Sequence, residues 1–213
     1  MDNIKKIPLI AMIIMVILSF ANLLGLKIAG MSVIIGVVFF FINNSYEKQS
    51  TIDSGLDLSA IGTDLKNRGI WLWILLPLIM DAVSITIAKM FLPEYIEHVL
   101  SRTEVFISFD KVLIMLIQLI ILALGEEIAW RAFFQKQLNK AFSIVPVLIF
   151  SSLLFAIGHF NQGNAVIVIY DIFFVFVNSI LYGIIFYKSK NAWISAISHF
   201  VANLFSVIVL VFI

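Results

Sequence analysis

From Ile7 to Leu26 the chain carries no charged side chain, and the same pattern recurs almost to its end. Further apolar runs cover Ile28 to Ile42, Ile70 to about Met90, Lys111 to Leu124, Ser143 to about Phe160, Ala165 to Tyr187 and Trp193 to Ile213. About 20 apolar residues let an α-helix cross the hydrocarbon core of a bilayer. A chain assembled from such runs reads as an all-α, polytopic transmembrane bundle of about seven spans. Composition agrees: 62% of the 213 residues are hydrophobic and 13% charged, where soluble domains run about 45–50% and about 25%. One small globular core could not hide that excess.

The first run follows a short basic start, and no small-x-small cleavage site leads into a soluble domain, so it reads as a retained span. Asn43 to Gly69 is the one long polar connection and reads as loop with a short surface helix. Trp71 and Trp73 suit a membrane interface, Pro77 is a candidate kink, and Pro93 to Asp110 reads as an interfacial connection. Three spans and the polar loop make an N-terminal membrane region over 1–110; four spans make a core over 111–213 of the same integral membrane domain. With the N-terminus inside, the inner segments hold Lys5, Lys6, Lys48, Lys66, Arg68, Lys136, Lys140, Lys188 and Lys190. The outer segments hold Lys27, Arg102 and Lys111, as the positive-inside rule asks, which leaves the C-terminus outside.

Net charge is +1, which offers no argument for nucleic acid as a partner, and the absence of Cys excludes disulfides, thiolate ligands and a cysteine nucleophile. The polar groups inside the apolar runs are then few. Glu126, Glu127 and Arg131 follow Leu124, yet Phe133, Phe134 and Leu138 keep a helical spacing beyond them, so one long fourth helix has Glu126 near its middle. Glu127 and Arg131 are four apart and pair on one face; Glu126 is left without that partner. Phe155 shares a helix face with His159, and His199 shares one with Asn203. Gly158, Ser195, Ala196 and Ala202 are small enough for close helix approach. The third histidine, His98, lies in a polar connection and is expected to be exposed.

Each of these residues taken singly fits a buried ion pair or an interhelical hydrogen bond. Together they make a hydrolytic set: a carboxylate to take a proton from water, an imidazole to hold that water, and an amide with a second imidazole to receive oxyanion charge. Three groups, His159, His199 and a Glu such as Glu126, would also suit zinc with an open position, although no His-Glu-x-x-His pair is present. Asp81 and Asp171 are further carboxylates at membrane depth and support a proton-coupled transporter as the runner-up class; no inverted repeat accompanies them.

Three stretches, Glu126-Glu127-x-x-x-Arg131, Phe155-x-x-x-His159 and His199-x-x-x-Asn203, in that order, resemble the signature of the CPBP intramembrane proteases. That family includes the CAAX prenyl endopeptidases and the bacterial abortive-infection (Abi) or bacteriocin-immunity type proteins. Leu181-Tyr182-Gly183 through Asn191-Ala192-Trp193 also resembles its run into the last motif, so the resemblance extends from about Leu113 to the C-terminus. It implies an endopeptidase acting on a membrane-associated peptide or protein. Glu126 would activate water with His159, and His199 and Asn203 would stabilise the oxyanion. Glu127, Arg131 and Phe155 would support the site. The family is labelled as metalloproteases, while a metal-free glutamate mechanism has also been advanced, so zinc stays open. The Ile-, Lys- and Asn-rich composition points to a bacterial cell membrane, and there the family implies peptide maturation or bacteriocin self-immunity. A non-catalytic membrane immunity or partner-binding protein is the other alternative.

Overall fold

The computed structural model describes residues 4–104 and 111–212. Among the described residues all regular structure is helical: α1 (Lys6–Ser19), α2 (Met31–Glu47), α3 (Arg68–Phe91), α4 (Tyr95–Thr103), α5 (Val112–Leu138), α6 (Ile144–Gly158), α7 (Ala165–Ser189) and α8 (Ala192–Phe212). Ile213 and the 105–110 part of the expected interfacial connection lie outside the described residues.

Five helical segments are long and apolar enough to cross a membrane: Lys6–Leu24, Arg68–Phe91, Val112–Leu138, Ala165–Ser189 and Ala192–Leu210. The expectation was about seven. The two remaining apolar runs form shorter helices, α2 with 17 residues and α6 with 15. At 1.5 Å per residue these reach about 25 and about 22 Å, short of a hydrocarbon core of about 30 Å. Large apolar side chains face outward along the long helices, such as Ile10 at 56%, Ile121 at 63% and Ile169 at 70% exposure. In water such a surface would aggregate; in lipid it is the proper solvent contact. The protein is thus an integral membrane protein built on multiple long apolar helices.

The polar connection is more ordered than its composition suggests. Helix α2 runs on to Glu47, and single turns form at Thr51–Ser54 and Ile61–Lys66. Side chains from the core hold this segment down. Asn191 donates through Nδ2 to the Asp57 carbonyl (2.8 Å) and to Asp64 Oδ2 (3.0 Å). Lys136 donates to Gln49 Oε1 (2.8 Å), the Ser54 carbonyl (2.9 Å) and the Asp53 carbonyl. Gly55, at φ +86°, turns the chain against the Phe186 ring, where a side chain would be strained.

Helix α5 does not keep one geometry along its length. Its first part, Val112–Glu127, is α-helical; Ile128–Gln135 is a π-helix, and a last turn Lys136–Leu138 is α-helical again. Wide π turns of this kind often mark functional positions in helices. All residues of the π segment are buried, and α2 crosses it closely at Gly36. A Cβ at Gly36 would lie 2.5 Å from Ala129 Cβ and 2.9 Å from its Cα. One apolar cluster joins Met15 of α1 and Phe40 of α2 to Trp130, Phe133 and Phe134 of this segment and Phe155 of α6. Helix α8 packs along α5 and α3, and α7 along α6 and α3. Ser198 Oγ of α8 donates to the Ile74 carbonyl (2.7 Å), one turn before Pro77, which sits inside a continuous α3.

Candidate active site

The junction between the α-helical and π-helical parts of α5 presents two carboxylates in different directions. Glu126 is 18% exposed by its side chain, whereas Glu127 is fully buried. Glu126 Oε2 lies 3.5 Å from His199 Nε2, and its Oε1 lies 3.9 Å from His159 Nε2. The carboxylate that lacked a local partner in the sequence therefore meets both intramembrane histidines. Glu127 turns the other way: Oε1 is 3.1 Å from His199 Nδ1, and Oε2 is 3.3 Å from Arg131 Nε. The Arg131 contact is an ion pair without hydrogen-bond geometry at either of those two atoms. Arg131 Nη2 does donate to Ser179 Oγ of α7 at 2.9 Å.

Each histidine is anchored through Nδ1 and aims Nε2 at Glu126. The His159 ring nitrogen Nδ1 lies 2.8 Å from the Phe155 carbonyl, so that nitrogen carries hydrogen and Nε2 offers its lone pair. Helix α6 makes this carbonyl available by tightening at its end. The His159 amide turns to Ala156 (2.9 Å) and the Phe160 amide to Ile157 (3.0 Å). His199 uses a carboxylate, Glu127, for the same purpose. Its ring also stacks on Tyr182, with centroids 4.3 Å apart and planes inclined by 18°. Phe155 fills the space between the two imidazoles, 4.5 Å from His159 and 6.2 Å from His199 between centroids. The Arg131 guanidinium lies over the same Phe155 ring, 5.4 Å from its centroid.

His159, late in its apolar run, meets a carboxylate halfway along α5. Helix α6 ends at Gly158, and His159 is its C-cap.

The sequence-chosen residues Glu126, Glu127, Arg131, Phe155, His159 and His199 come together. Asn203 sits half-buried one turn beyond His199, and among the described residues its amide has no hydrogen-bond partner. His98 departs from expectation. Its side chain is only 8% exposed, and Nε2 lies 3.6 Å from Asp171 Oδ2, because α4 folds back over α7 instead of standing in solvent. Arg102 pairs with the same Asp171 oxygen. Asp81 accepts from Asn178 Nδ2 (2.6 Å) and Ser206 Oγ (2.8 Å). Both of these carboxylates have local partners from neighbouring helices. Sequence reasoning assigned no role to Tyr182, Ser179, Arg102 or Asn22, the last of which also reaches the His159 turn. Their partners are 17 to 138 positions distant in the chain, and no local spacing marks them.

Among the described residues, no group of three or more His, Asp or Glu side chains has a placement that could hold a metal ion. Glu126, His159 and His199 remain the residues that would hold a metal, and no chemical step below is routed through one.

Fold and site together define a multi-span helical membrane protein with a glutamate–histidine cluster sunk between its helices. Residues 108–205 match the family model described as type II CAAX prenyl endopeptidase Rce1-like. The chain accordingly carries a CAAX-protease-like domain of the CPBP superfamily over 108–205, which takes in every residue of the cluster. No curated protein and no solved structure matches the chain significantly.

Proposed function

We propose that the protein is an intramembrane endopeptidase that hydrolyses a peptide bond of a membrane-associated peptide or protein with water activated by Glu126. The observation that carries this reading is the approach of both Nε2 atoms to the Glu126 carboxylate, at 3.5 and 3.9 Å, with each Nδ1 tied elsewhere. The wider gap is suited to a water that gives one hydrogen to His159 Nε2 and another to Glu126. Glu126 takes a proton from that water as its oxygen attacks the scissile carbonyl carbon. His199, donating at Nδ1 to Glu127 and at Nε2 toward the reacting oxygen, stabilises the oxyanion, and the Asn203 amide, free of other partners, turns to the same oxygen. Glu126 then passes its proton to the leaving nitrogen as the C–N bond breaks, releasing a carboxylic acid and an amine. Glu127, Arg131 and Phe155 hold the histidines in place.

The setting follows the same reading. Helices α2 and α6 also lie within the membrane, making seven embedded helices, with the N-terminus cytoplasmic in a bacterial cell membrane and 111–213 as the catalytic core. Peptide maturation and bacteriocin self-immunity are the roles that fit such a protease.

The test is cleavage of a membrane-associated peptide by purified protein in detergent. Glu126→Gln abolishes cleavage without lowering the yield of folded protein, and His159→Ala and His199→Ala each reduce it by about 100-fold or more. Full proteolysis in all three variants would overturn the assignment.

A further inference from the structure

The turn that carries His159 is held by side chains from two segments far away in the chain. The last carbonyls of a helix have no intrahelical donor, and those at the end of α6 find theirs outside it. Asn22, in the turn between α1 and α2, donates through Nδ2 to the Gly158 carbonyl (3.0 Å) and the Phe160 carbonyl (3.2 Å). Its Oδ1 accepts from the Ala29 amide (3.3 Å), which fixes the orientation of the amide plane. The carbonyl between those two, on His159 itself, accepts from Arg102 Nη1 of α4 at 3.4 Å. The same nitrogen pairs with Asp171 Oδ2 of α7, whose residue is 1% exposed. Three successive carbonyls thus point at donors from two separate elements, directly behind the imidazole that faces Glu126.

We infer that Asn22 and Arg102, the latter anchored by Asp171, are positioning residues for His159. The inference rests on the proteolytic reading of the site for its consequence, though the geometry it describes does not. The His159 ring has one internal tether, Nδ1 to the Phe155 carbonyl. That tether fixes the ring only while the turn from 158 to 160 keeps its path. Without Asn22 and Arg102 the three carbonyls turn to water, the C-cap unwinds, and Nε2 drifts from the 3.9 Å approach to Glu126. The hydrogen bonds of Asn22 and Arg102 go to the backbone of the turn, to Ala29 and to Asp171, and none to Glu126 or an imidazole ring, so their loss disturbs the reacting geometry first.

Two measurements on the full chain in detergent decide it. In the double variant Asn22→Ala/Arg102→Gln, kcat falls about tenfold or more, while KM stays within about twofold. Histidine 15N NMR reads the ring directly: wild-type His159 shows hydrogen on Nδ1 alone, and the double variant shows an averaged tautomer. Arg102→Lys, which keeps the charge on Asp171 and one donor, recovers part of the kcat. Should Arg102→Gln fail to fold because it leaves a buried carboxylate unpaired, Arg102→Gln/Asp171→Asn removes both charges and replaces it in the same experiment. An unchanged kcat, or an unchanged 15N signature, overturns the inference. If wild type and Glu126→Gln cleave alike, the proteolytic reading has failed, and the 15N signature alone then decides whether these residues hold the ring.

Discussion

Glu127 Oε1 lies 3.1 Å from His199 Nδ1, across 72 positions of the chain. The adjacent carboxylates thereby divide the work of the cluster. Glu127 is fully buried and orients one imidazole; Glu126 is partly exposed and faces the Nε2 atoms of both.

That division separates the effects of two like substitutions. Glu127→Gln leaves the buried Arg131 guanidinium without its carboxylate and costs about 3–5 kcal/mol of stability. Glu126→Gln removes no ion pair with an always-charged partner and costs about 1 kcal/mol or less. Thermal unfolding of the two variants in one detergent checks the contrast, and equal losses would refute it.

The Tyr182 ring, 2% exposed and stacked on His199, acts through its face. Tyr182→Phe keeps the stack and retains cleavage within about threefold. Tyr182→Ala opens a cavity, costs about 3–5 kcal/mol and frees the imidazole, so cleavage falls further than in the Phe variant. A steady-state comparison of the two on a membrane peptide gives the answer.

Gly36 sets how closely α2 crosses the π segment behind the glutamates. Gly36→Ala puts a methyl 2.5 Å from Ala129 Cβ and 2.9 Å from its Cα, a backbone atom that cannot rotate away. Overpacking of this kind costs about 1–3 kcal/mol. Gly62→Ala, inside a helix where a Cβ meets nothing within 4 Å, is the control and does not lower the unfolding midpoint.

The connection over the end of the bundle responds to acid. Asp57 Oδ1 accepts from Ser59 Oγ (2.6 Å), the Ser59 amide (2.9 Å) and the Ala60 amide (3.3 Å). The Ser59 hydroxyl chiefly, with those amides, holds its carboxyl below the ordinary carboxylate range. A group lowered on folding stabilises the fold above its unfolded value, about 3.9, and that contribution is lost as pH falls through the folded value. Limited proteolysis of the 50–66 segment therefore increases below about pH 4, and Asp57→Asn shows the same sensitivity at neutral pH.

Much of the helical order was legible in the residues. Uncharged runs mark the helices because a backbone in lipid has to satisfy itself, and Glu126, Glu127, Arg131, His159 and His199 stand out because each is costly there. The span count was less legible: five helical segments are long and apolar enough to cross a membrane, while the run from Ser143 to Phe160 forms the shorter α6, whose end leaves the Phe155 carbonyl to His159. His98 read as exposed because nothing local shows that α4 lies against Asp171.

By itself, then, the sequence determined an all-α membrane bundle and the residue types of its polar cluster, since hydropathy and the cost of charge act on every local segment alike. Only the tertiary structure decided which carboxylate meets which imidazole. The π turn after Glu127, the capping turn at His159, the Tyr182 stack and the side chains of Asn22 and Arg102 set those meetings. Each is a contact between segments distant along the chain, whose geometry depends on how whole helices pack.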